Sequence, residues 1–177
     1  MKWNKTLRLT LLLLLWSYVS LHAQNIDTKR TAPFPHSVDL ISLDKKNVNS
    51  DTFTNNGKPL IITFWLTTCK PCIKEQTAIN SKLNQWRIET GVRVIAISFD
   101  PINKLEIVKK IAKQHNWKHE IYIDKRKQLR KKMLGNWFGV PQLFIFDKNM
   151  NIVQHNYGYK KEDIKKIGKL LKKLVLK

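Results

Sequence analysis

The sequence predicts an α/β protein in which short buried strands alternate with amphipathic helices. Apolar runs of strand length at residues 60–66, 92–98 and 120–124 are separated by segments whose apolar residues recur at helical spacing. Two more strand-like runs and a last amphipathic segment follow them. The resulting order, β-α-β-α-β and then a hairpin and a helix, is typical of the α/β class. A length of 177 residues suits a single domain with a buried core.

The N-terminal residues are predicted to precede this domain. Residues 1–23 have the basic start, short apolar core and small-residue end of a secretory signal peptide. Their apolar core is too short to span a membrane comfortably, although Leu21 at the −3 position leaves an uncleaved anchor open. Residues 24–35 are predicted to be a linker and residues 36–177 the domain. In a bacterium this leader implies a periplasmic or otherwise extracytoplasmic protein.

The domain is predicted to begin with two short strands. Residues 38–44 and 48–53 carry strand-like patterns on either side of a polar turn at residues 45–47. Gly57-Lys58-Pro59 then leads into the first long apolar run. These residues carry no chemistry of their own, so we expect them to extend the sheet.

A Cys-x-x-Cys pair lies between a buried strand and a helix. Residues 60–66 are rich in β-branched and aromatic side chains, and a long helix is predicted over residues 73–88, with Gly91 after its end. Cys69 falls at a helix N-terminus, where free N–H groups and the macrodipole favour a thiolate. Cys72 lies one turn further on and can close a disulfide with Cys69. Such a pair at a strand-to-helix junction indicates redox chemistry.

The remaining elements follow in alternation. A continuous apolar run at 92–98 predicts a strand buried on both faces. Apolar residues between 105 and 112 are spaced as in a helix, residues 120–124 form a strand, and the basic stretch 125–134 is predicted to be a short helix. The last elements are a hairpin of strands 142–147 and 151–157 and an amphipathic helix running from Ile164 to Leu174.

The motif residues resemble those of a known superfamily. Phe64-Trp65-Leu66-Thr67-Thr68-Cys69-Lys70-Pro71-Cys72 is similar to the active-site segment of the thioredoxin superfamily, and Gly139-Val140-Pro141 resembles its cis-proline loop. The N-terminal hairpin, the Gly-Lys-Pro segment and Glu75 are similar to the TlpA/ResA-like extracytoplasmic branch. The resemblance covers residues 36–176. It implies a thioredoxin-like fold, with a central mixed sheet flanked by helices and an N-terminal β-hairpin extension.

The resemblance also implies roles for individual residues. Cys69 would be the exposed nucleophile, Cys72 the buried resolving thiol, and Glu75 the glutamate that tunes the thiols and handles protons. Pro141 would be the cis-proline opposite the cysteines, which leaves the backbone of Val140 free to pair with an extended substrate. The predicted substrate-binding set is completed by Trp65, Lys70 and Pro71.

Two positions bear on how the thiols are tuned. Lys70 adds positive charge between the cysteines, which favours the Cys69 thiolate and makes the disulfide easier to reduce. Glu75, one turn past Cys72, adds negative charge. Thioredoxin has a buried aspartate where this chain has Thr63, so the thioredoxin proton shuttle is absent and more weight falls on Glu75.

Composition limits the other classes of function. The formal net charge is +20, from 33 Lys and Arg against 13 Asp and Glu, yet no nucleic-acid-binding motif accompanies it. The basic stretches 125–132 and 160–177 can attract an acidic partner or membrane headgroups. The two cysteines and five histidines do not form a zinc pattern, so no metal and no cofactor is expected.

The sequence therefore predicts an extracytoplasmic thiol–disulfide oxidoreductase. The resemblance implies reduction of protein disulfides with electrons from a membrane thiol carrier, with cytochrome c maturation as one family role. An oxidase or isomerase direction stays open, as does a copper-binding or delivery protein resembling the Sco type, for which His119 and His155 are the candidate C-terminal ligands. A peroxidase is set aside, because Thr68-Cys69 does not fit the Thr/Ser-x-x-Cys motif of peroxiredoxins.

Overall fold

A seven-stranded mixed sheet forms the centre of the described part of the protein. The computed structural model describes residues 34–176, so the predicted signal peptide and nearly all of the predicted linker lie outside the described residues. The strands are β1 (Asp39–Ser42), β2 (Asn47–Asn49), β3 (Leu60–Trp65), β4 (Arg93–Ser98), β5 (Glu120–Ile123), β6 (Gln142–Phe146) and β7 (Ile152–Tyr157). The α-helices are α1 (Lys70–Thr90), α2 (Leu105–Gln114), α3 (Gln128–Leu134) and α4 (Asp163–Val175).

The strand order is β2-β1-β5-β4-β3-β6-β7, and it confirms the predicted mixed sheet. Strands β3, β4 and β5 are parallel, as their connection through α1 and α2 requires. Strands β6 and β7 form the predicted antiparallel hairpin, which adds to the β3 side. The N-terminal hairpin of β1 and β2 adds antiparallel to β5 and so extends the opposite edge.

Each face of the sheet is covered, because side chains alternate along the buried central strand. In β3, Leu60, Ile62 and Phe64 face a core cluster shared with the N-terminal segment and α3. On the other face Ile61 packs in a cluster with α1 and α4, and Trp65 packs in a cluster with α2 and the start of α1. The start of α1 therefore lies at the end of a strand that is buried on both faces.

Three element boundaries differ from the predictions by three residues or more. The second predicted strand ends at Asn49, because the Asn49 side chain accepts a hydrogen bond from Asp51 N at 3.0 Å and caps a 3-10 turn over Ser50–Thr52. Helix α1 begins at Lys70 rather than at residue 73. Helix α3 begins only at Gln128, where the Asp124 carboxylate accepts from Gln128 N at 2.9 Å.

The predicted end of the long helix is confirmed. Gly91 has φ of 65° and its N–H donates to Arg87 O at 2.9 Å, the left-handed C-terminal cap that glycine adopts most easily. Within residues 34–176, no helix combines the length and the apolar character needed to span a membrane.

Candidate active site

The two cysteines lie at the N-terminus of α1 and are joined by a disulfide, with their Cα atoms 5.2 Å apart. Cys69 is the N-cap residue, and its sulfur accepts a hydrogen bond from Cys72 N at 3.2 Å. Pro71 falls in the first turn, where a missing N–H leaves no bond unmade. Cys69 is partly exposed, whereas Cys72 is fully buried. Of the two sulfurs, therefore, only that of Cys69 can react with a group that approaches from solution.

A loop with a cis-proline faces this sulfur. The Val140–Pro141 peptide bond is cis, as predicted, and the Val140 carbonyl oxygen lies 3.8 Å from Cys69 Sγ. The loop is held on both sides: Gln142 Nε2 donates to Gly139 O at 2.9 Å, and Gly158 N donates to Pro141 O at 2.9 Å. The structure thus brings Val140 and Pro141 to the cysteine pair across 71 residues of sequence.

Asp100 fixes the segment that leads from β3 into the cysteines. Its buried carboxylate accepts hydrogen bonds from Thr67 N and from Thr67 Oγ1, each at 2.8 Å. Ser98 Oγ donates to the same carboxylate at 2.8 Å and accepts from Asp100 N at 3.0 Å. We did not identify Asp100 from the sequence as a site residue. The signal was present, because Ser98 ends the strand next to β3 and Asp100 follows it, and the ends of parallel strands meet at one edge of a sheet.

Glu75 is buried on α1, three residues after Cys72, so the two side chains lie on the same side of the helix. Thr63 Oγ1 donates to Glu75 Oε2 at 2.8 Å and accepts from Gln76 Nε2 at 3.1 Å. Burial raises the pKa of Glu75 to about 8, because an ionised carboxylate loses its hydration there. The hydrogen bond from Thr63 acts in the opposite direction, and the charge of Asp163 raises the pKa further. At neutral pH the carboxyl group therefore carries a proton.

The other predicted site residues occupy different depths. Lys70 and Pro71 are exposed on the first turn of α1, beside the partly exposed Cys69. Trp65, which was expected to line the substrate surface, is fully buried and belongs to the core behind the cysteines. Trp65 packs in the cluster that includes Cys72, and its ring meets that of Trp117 edge-on with centroids 5.1 Å apart. Its position at the end of the most buried strand explains this, and Trp65 supports the inner cysteine from behind.

The histidines proposed for a copper site are not brought to the cysteines as a ligand set. His119 is buried and stacks on Trp117 with ring centroids 5.6 Å apart, and burial lowers its pKa to about 4. His155 stacks on Phe144 and its Nε2 lies 2.6 Å from Gln142 Oε1. Among residues 34–176, no three His, Cys, Asp or Glu side chains are grouped so that they could hold a metal ion.

The sequence matches one protein family and is similar to several thiol-disulfide oxidoreductases. Residues 30–155 match the AhpC/TSA family. The thiol-disulfide oxidoreductase ResA of Bacillus thuringiensis subsp. konkukian is 32% identical over 119 residues, which are 66% of this chain and 63% of the relative. ResA of Geobacillus kaustophilus is 30% identical over 146 residues and covers 80% of both chains. The match to the Bacillus thuringiensis relative therefore spans somewhat less than two thirds of that protein's length.

Solved structures share the fold. A thioredoxin-like protein from Porphyromonas gingivalis is 33% identical and superposes with a TM-score of 0.69, over 83% of this chain and 95% of that one. A thiol:disulfide interchange protein of the thioredoxin family from Chlorobium tepidum has 23% identity and a TM-score of 0.65, over 80% of this chain and 97% of that one. The second likeness concerns the fold alone. Together they agree with the thioredoxin-like fold described above.

Proposed function

The chain belongs to the AhpC/TSA family, and on this premise we propose that it is an extracytoplasmic thiol–disulfide oxidoreductase that reduces disulfides in other proteins. The observation that carries the proposal is the pairing of a partly exposed Cys69 with a buried Cys72 at a helix N-terminus, opposite a cis-proline loop. Disulfide exchange needs an accessible sulfur, a second thiol within reach and room for a partner disulfide. A peroxidase reading is less well supported, because the resolving thiol here lies only three residues from the nucleophile.

The reaction begins with both cysteines reduced. The Cys69 thiolate attacks one sulfur of a substrate disulfide, so that a Cys69–substrate disulfide forms and one substrate thiolate leaves. The Cys72 thiolate then attacks the Cys69 sulfur, which closes the Cys69–Cys72 disulfide and releases the second substrate thiolate. Two electrons have passed to the substrate, and the protein is left in the disulfide form of the structure. The hydrogen bond from Cys72 N to the Cys69 sulfur favours the attacking thiolate.

Glu75 is the acid–base group that we assign to the second step. Cys72 is buried, so its thiol has to lose a proton inside the protein before it can attack. The pKa of Glu75 is about 8, close to the value of about 8.5 at which a free thiol titrates. Because Glu75 is protonated at neutral pH, it accepts the Cys72 proton only in the fraction of molecules whose carboxyl group is ionised, and that fraction grows as the pH rises towards 8. Thr63 orients this carboxyl through its hydrogen bond.

Substrate recognition is proposed to use the loop opposite the cysteines. The Val140 carbonyl lies 3.8 Å from Cys69 Sγ, so an extended chain that presents its disulfide to Cys69 runs past Val140. Backbone pairing of this kind binds many sequences through main-chain groups alone. Lys70 and Pro71 border the same opening from α1.

Location and electron supply belong to the same proposal. The signal-like residues 1–23 support export, after which a membrane thiol carrier would return electrons to the Cys69–Cys72 disulfide. Haem-attachment cysteines in cytochrome c maturation are one class of substrate for such a reductant. The exposed lysines of α4, at positions 165, 166, 169, 172 and 173, would draw the protein towards an acidic partner or anionic headgroups.

Lys70 favours a second direction of the same chemistry. Its ammonium group stabilises a thiolate at Cys69 and so stabilises the reduced form of the pair, which makes the protein a better oxidant. The reduction potential decides between the directions. A value near or below about −270 mV supports a reductant, and a value of about −180 to −120 mV supports an oxidase or isomerase.

The test is a redox titration of the full-length protein in defined thiol buffers, together with reduction of insulin. We expect one reversible two-electron couple and an insulin reductase activity that is lost in Cys69→Ser. Cys72→Ser is the matched variant, which should retain the first step and accumulate a mixed disulfide on Cys69. Failure to form a reversible disulfide, or insulin reduction that survives in Cys69→Ser, contradicts the proposal.

A further inference from the structure

Three aromatic side chains lie exposed next to the cis-proline loop, and we call Trp137, Phe138 and Tyr157 the aromatic platform. Their exposed fractions are 57%, 63% and 60%. Every other Phe, Trp and Tyr side chain among residues 34–176 is buried or only partly exposed. Exposed large apolar surface that gathers in one place marks an interaction site more often than scattered exposure does.

The platform is continuous with the cis-proline loop. The rings of Trp137 and Tyr157 meet edge-on with centroids 5.2 Å apart. Both rings close over Gly139: a Cβ atom there would lie 2.5 Å from Trp137 Nε1 and 2.8 Å from Tyr157 Cε2. Gly139 is bonded to Val140, whose carbonyl oxygen is 3.8 Å from Cys69 Sγ. The platform and the reactive sulfur are thus parts of one surface.

A buried arginine holds the platform from beneath. Arg130 is only 6% exposed, and its guanidinium lies 4.0 Å from the ring centroid of Phe138. Its Nη1 donates to Trp137 O at 2.9 Å, which fixes the backbone between the two aromatic residues. Arg130 N is in turn held by the buried Asp124 carboxylate at 2.8 Å. The two exposed rings therefore stand on a pre-ordered base, which lowers the entropy cost of binding to them.

We propose that the aromatic platform binds a large apolar side chain of the substrate polypeptide, two residues away from the cysteine that Cys69 attacks. This inference rests on the proposed oxidoreductase function and adds a substrate preference to it. An extended chain rises about 3.3 Å per residue and returns to the same face every second residue. A side chain two positions from the attacked sulfur therefore stands about 7 Å from it on the face that meets the enzyme, which carries it past Val140 towards the platform residues that follow on from Gly139.

The substrate is the occupant that the surroundings favour. A substrate disulfide has to approach Cys69, and the platform is the apolar surface that borders this approach on the cis-proline side. The loop itself is anchored by Gln142 and by the backbone of Gly158, so it does not need the platform contacts to keep its place. A second copy of this chain and a membrane surface are the competing occupants, and the test separates them from a substrate.

The experiment measures single-turnover oxidation of the reduced, full-length protein by three disulfides, with acid quenching and mass analysis. Two are symmetrical peptide disulfides, of Phe-Ser-Cys-Ser-Phe and of Ala-Ser-Cys-Ser-Ala, and the third is bis(2-hydroxyethyl) disulfide. We expect the wild-type protein to react about tenfold faster with the Phe peptide than with the Ala peptide, as partial burial of one phenyl ring implies. Phe138→Ala should bring that ratio to within about twofold while the rates with the other two disulfides stay unchanged.

Two variants serve as controls. Phe138→Leu keeps an apolar side chain and should retain much of the preference. Ile88→Ala removes a side chain that is 78% exposed elsewhere on α1 and should leave all three rates unchanged. Far-ultraviolet circular dichroism checks that each variant is folded.

Several results would overturn the inference. Equal wild-type rates with both peptides, alongside normal reduction of the small disulfide, would remove the substrate preference and leave the oxidoreductase function standing. If Phe138→Ala lowered the reaction rate by the same factor with all three disulfides, the platform would be a structural support of the cis-proline loop and not a binding site for substrate. Sedimentation of the wild type as a dimer and of Phe138→Ala as a monomer would assign the platform to self-association, and binding to anionic phospholipid vesicles that Phe138→Ala abolishes would assign it to a membrane. No reduction of any disulfide would refute the proposed function as well.

Discussion

Replacing Glu75 with glutamine keeps the shape and the hydrogen-bonding capacity of the side chain but removes its ionisation. In the folded protein the carboxyl group is buried beside Thr63, with the charge of Asp163 nearby, and its pKa is raised from 4.5 to about 8. Between pH 4.5 and pH 8, therefore, the carboxyl group keeps its proton in the folded chain but has already lost it in the unfolded chain. Stability from this group is complete below the lower value and is lost as the pH rises through the higher one.

The size of the effect follows from the two pKa values. One pKa unit corresponds to about 1.4 kcal/mol. Raising the pH from 5 to 8 should therefore cost the wild-type protein about 3–4 kcal/mol that Glu75→Gln does not lose. The buried His119, whose pKa is lowered to about 4, changes stability in the opposite direction on the acid side. Its contribution is the same in both proteins and cancels when they are compared.

The assay is guanidinium unfolding of the oxidised wild type and of Glu75→Gln at pH 5, 6, 7, 8 and 9. The difference between their free energies of unfolding should move in favour of the variant as the pH rises, and should level off above pH 8. Glu89→Gln is the matched control, since Glu89 lies on the same helix but on the surface, where it pairs with Lys172 at 3.0 Å. The difference between the free energies of unfolding of the wild type and Glu89→Gln should stay constant between pH 5 and pH 8.

A difference between wild type and Glu75→Gln that is constant from pH 5 to pH 9 would refute the reasoning. It would mean that Glu75 is ionised in the folded protein at neutral pH, and the increase in its ionised fraction expected between pH 7 and pH 8 would then be absent. A difference that moves in favour of the wild type with rising pH would reverse the sign of the pKa shift.

Other predictions concern the surroundings of the cysteines and the helix packing. Asp100→Asn should cost about 2–3 kcal/mol in urea unfolding, because an amide group would face the two donors of Thr67, and an unchanged midpoint would contradict this. Lys70→Glu should lower the reduction potential by about 20–30 mV, measured in thiol buffers, since the reduced pair loses a nearby positive charge; an unchanged or higher potential would count against that role. Gly168→Ala should lower the melting temperature despite the better helix propensity of alanine, because the new Cβ would lie 2.9 Å from Trp86 Nε1 in the contact between α1 and α4; a raised melting temperature would show that the ring gives way.

The sequence was sufficient for the order of elements and for the chemistry of the pair. Apolar patterns located most of the helices and strands, and a Cys-x-x-Cys after a buried strand indicated redox chemistry. The end of α1 was equally local, because Gly91 marks a left-handed cap. Two of the boundaries that failed, at β2 and α3, depend on which hydrogen bonds Asn49 and Asp124 make, and one residue's type does not specify its partner.

Contacts between distant residues decided the rest of the site. Asp100 reaches Thr67 across 33 residues, and Glu75 reaches Thr63 across 12, so neither bond is written in a local pattern. The motif alone does not show how deeply each of its side chains is buried. In the structure, Trp65 is buried behind the inner cysteine, and burial raises the pKa of Glu75. A pKa depends on how much water a fold removes and on the charges it brings close, and both are properties of packing.

What the sequence by itself determined, then, is the α/β alternation and the redox pair at the start of a helix, because short-range patterns of polarity, glycine and cysteine encode them. That a proline loop faces the pair was implied by the resemblance to the thioredoxin superfamily, because the contact joins residues 71 apart. The tertiary structure alone decided which groups surround the pair. The aromatic platform is the clearest case: Tyr157 is distant along the chain from Trp137 and Phe138, and it meets Trp137 only because β6 and β7 pair beside the cis-proline loop.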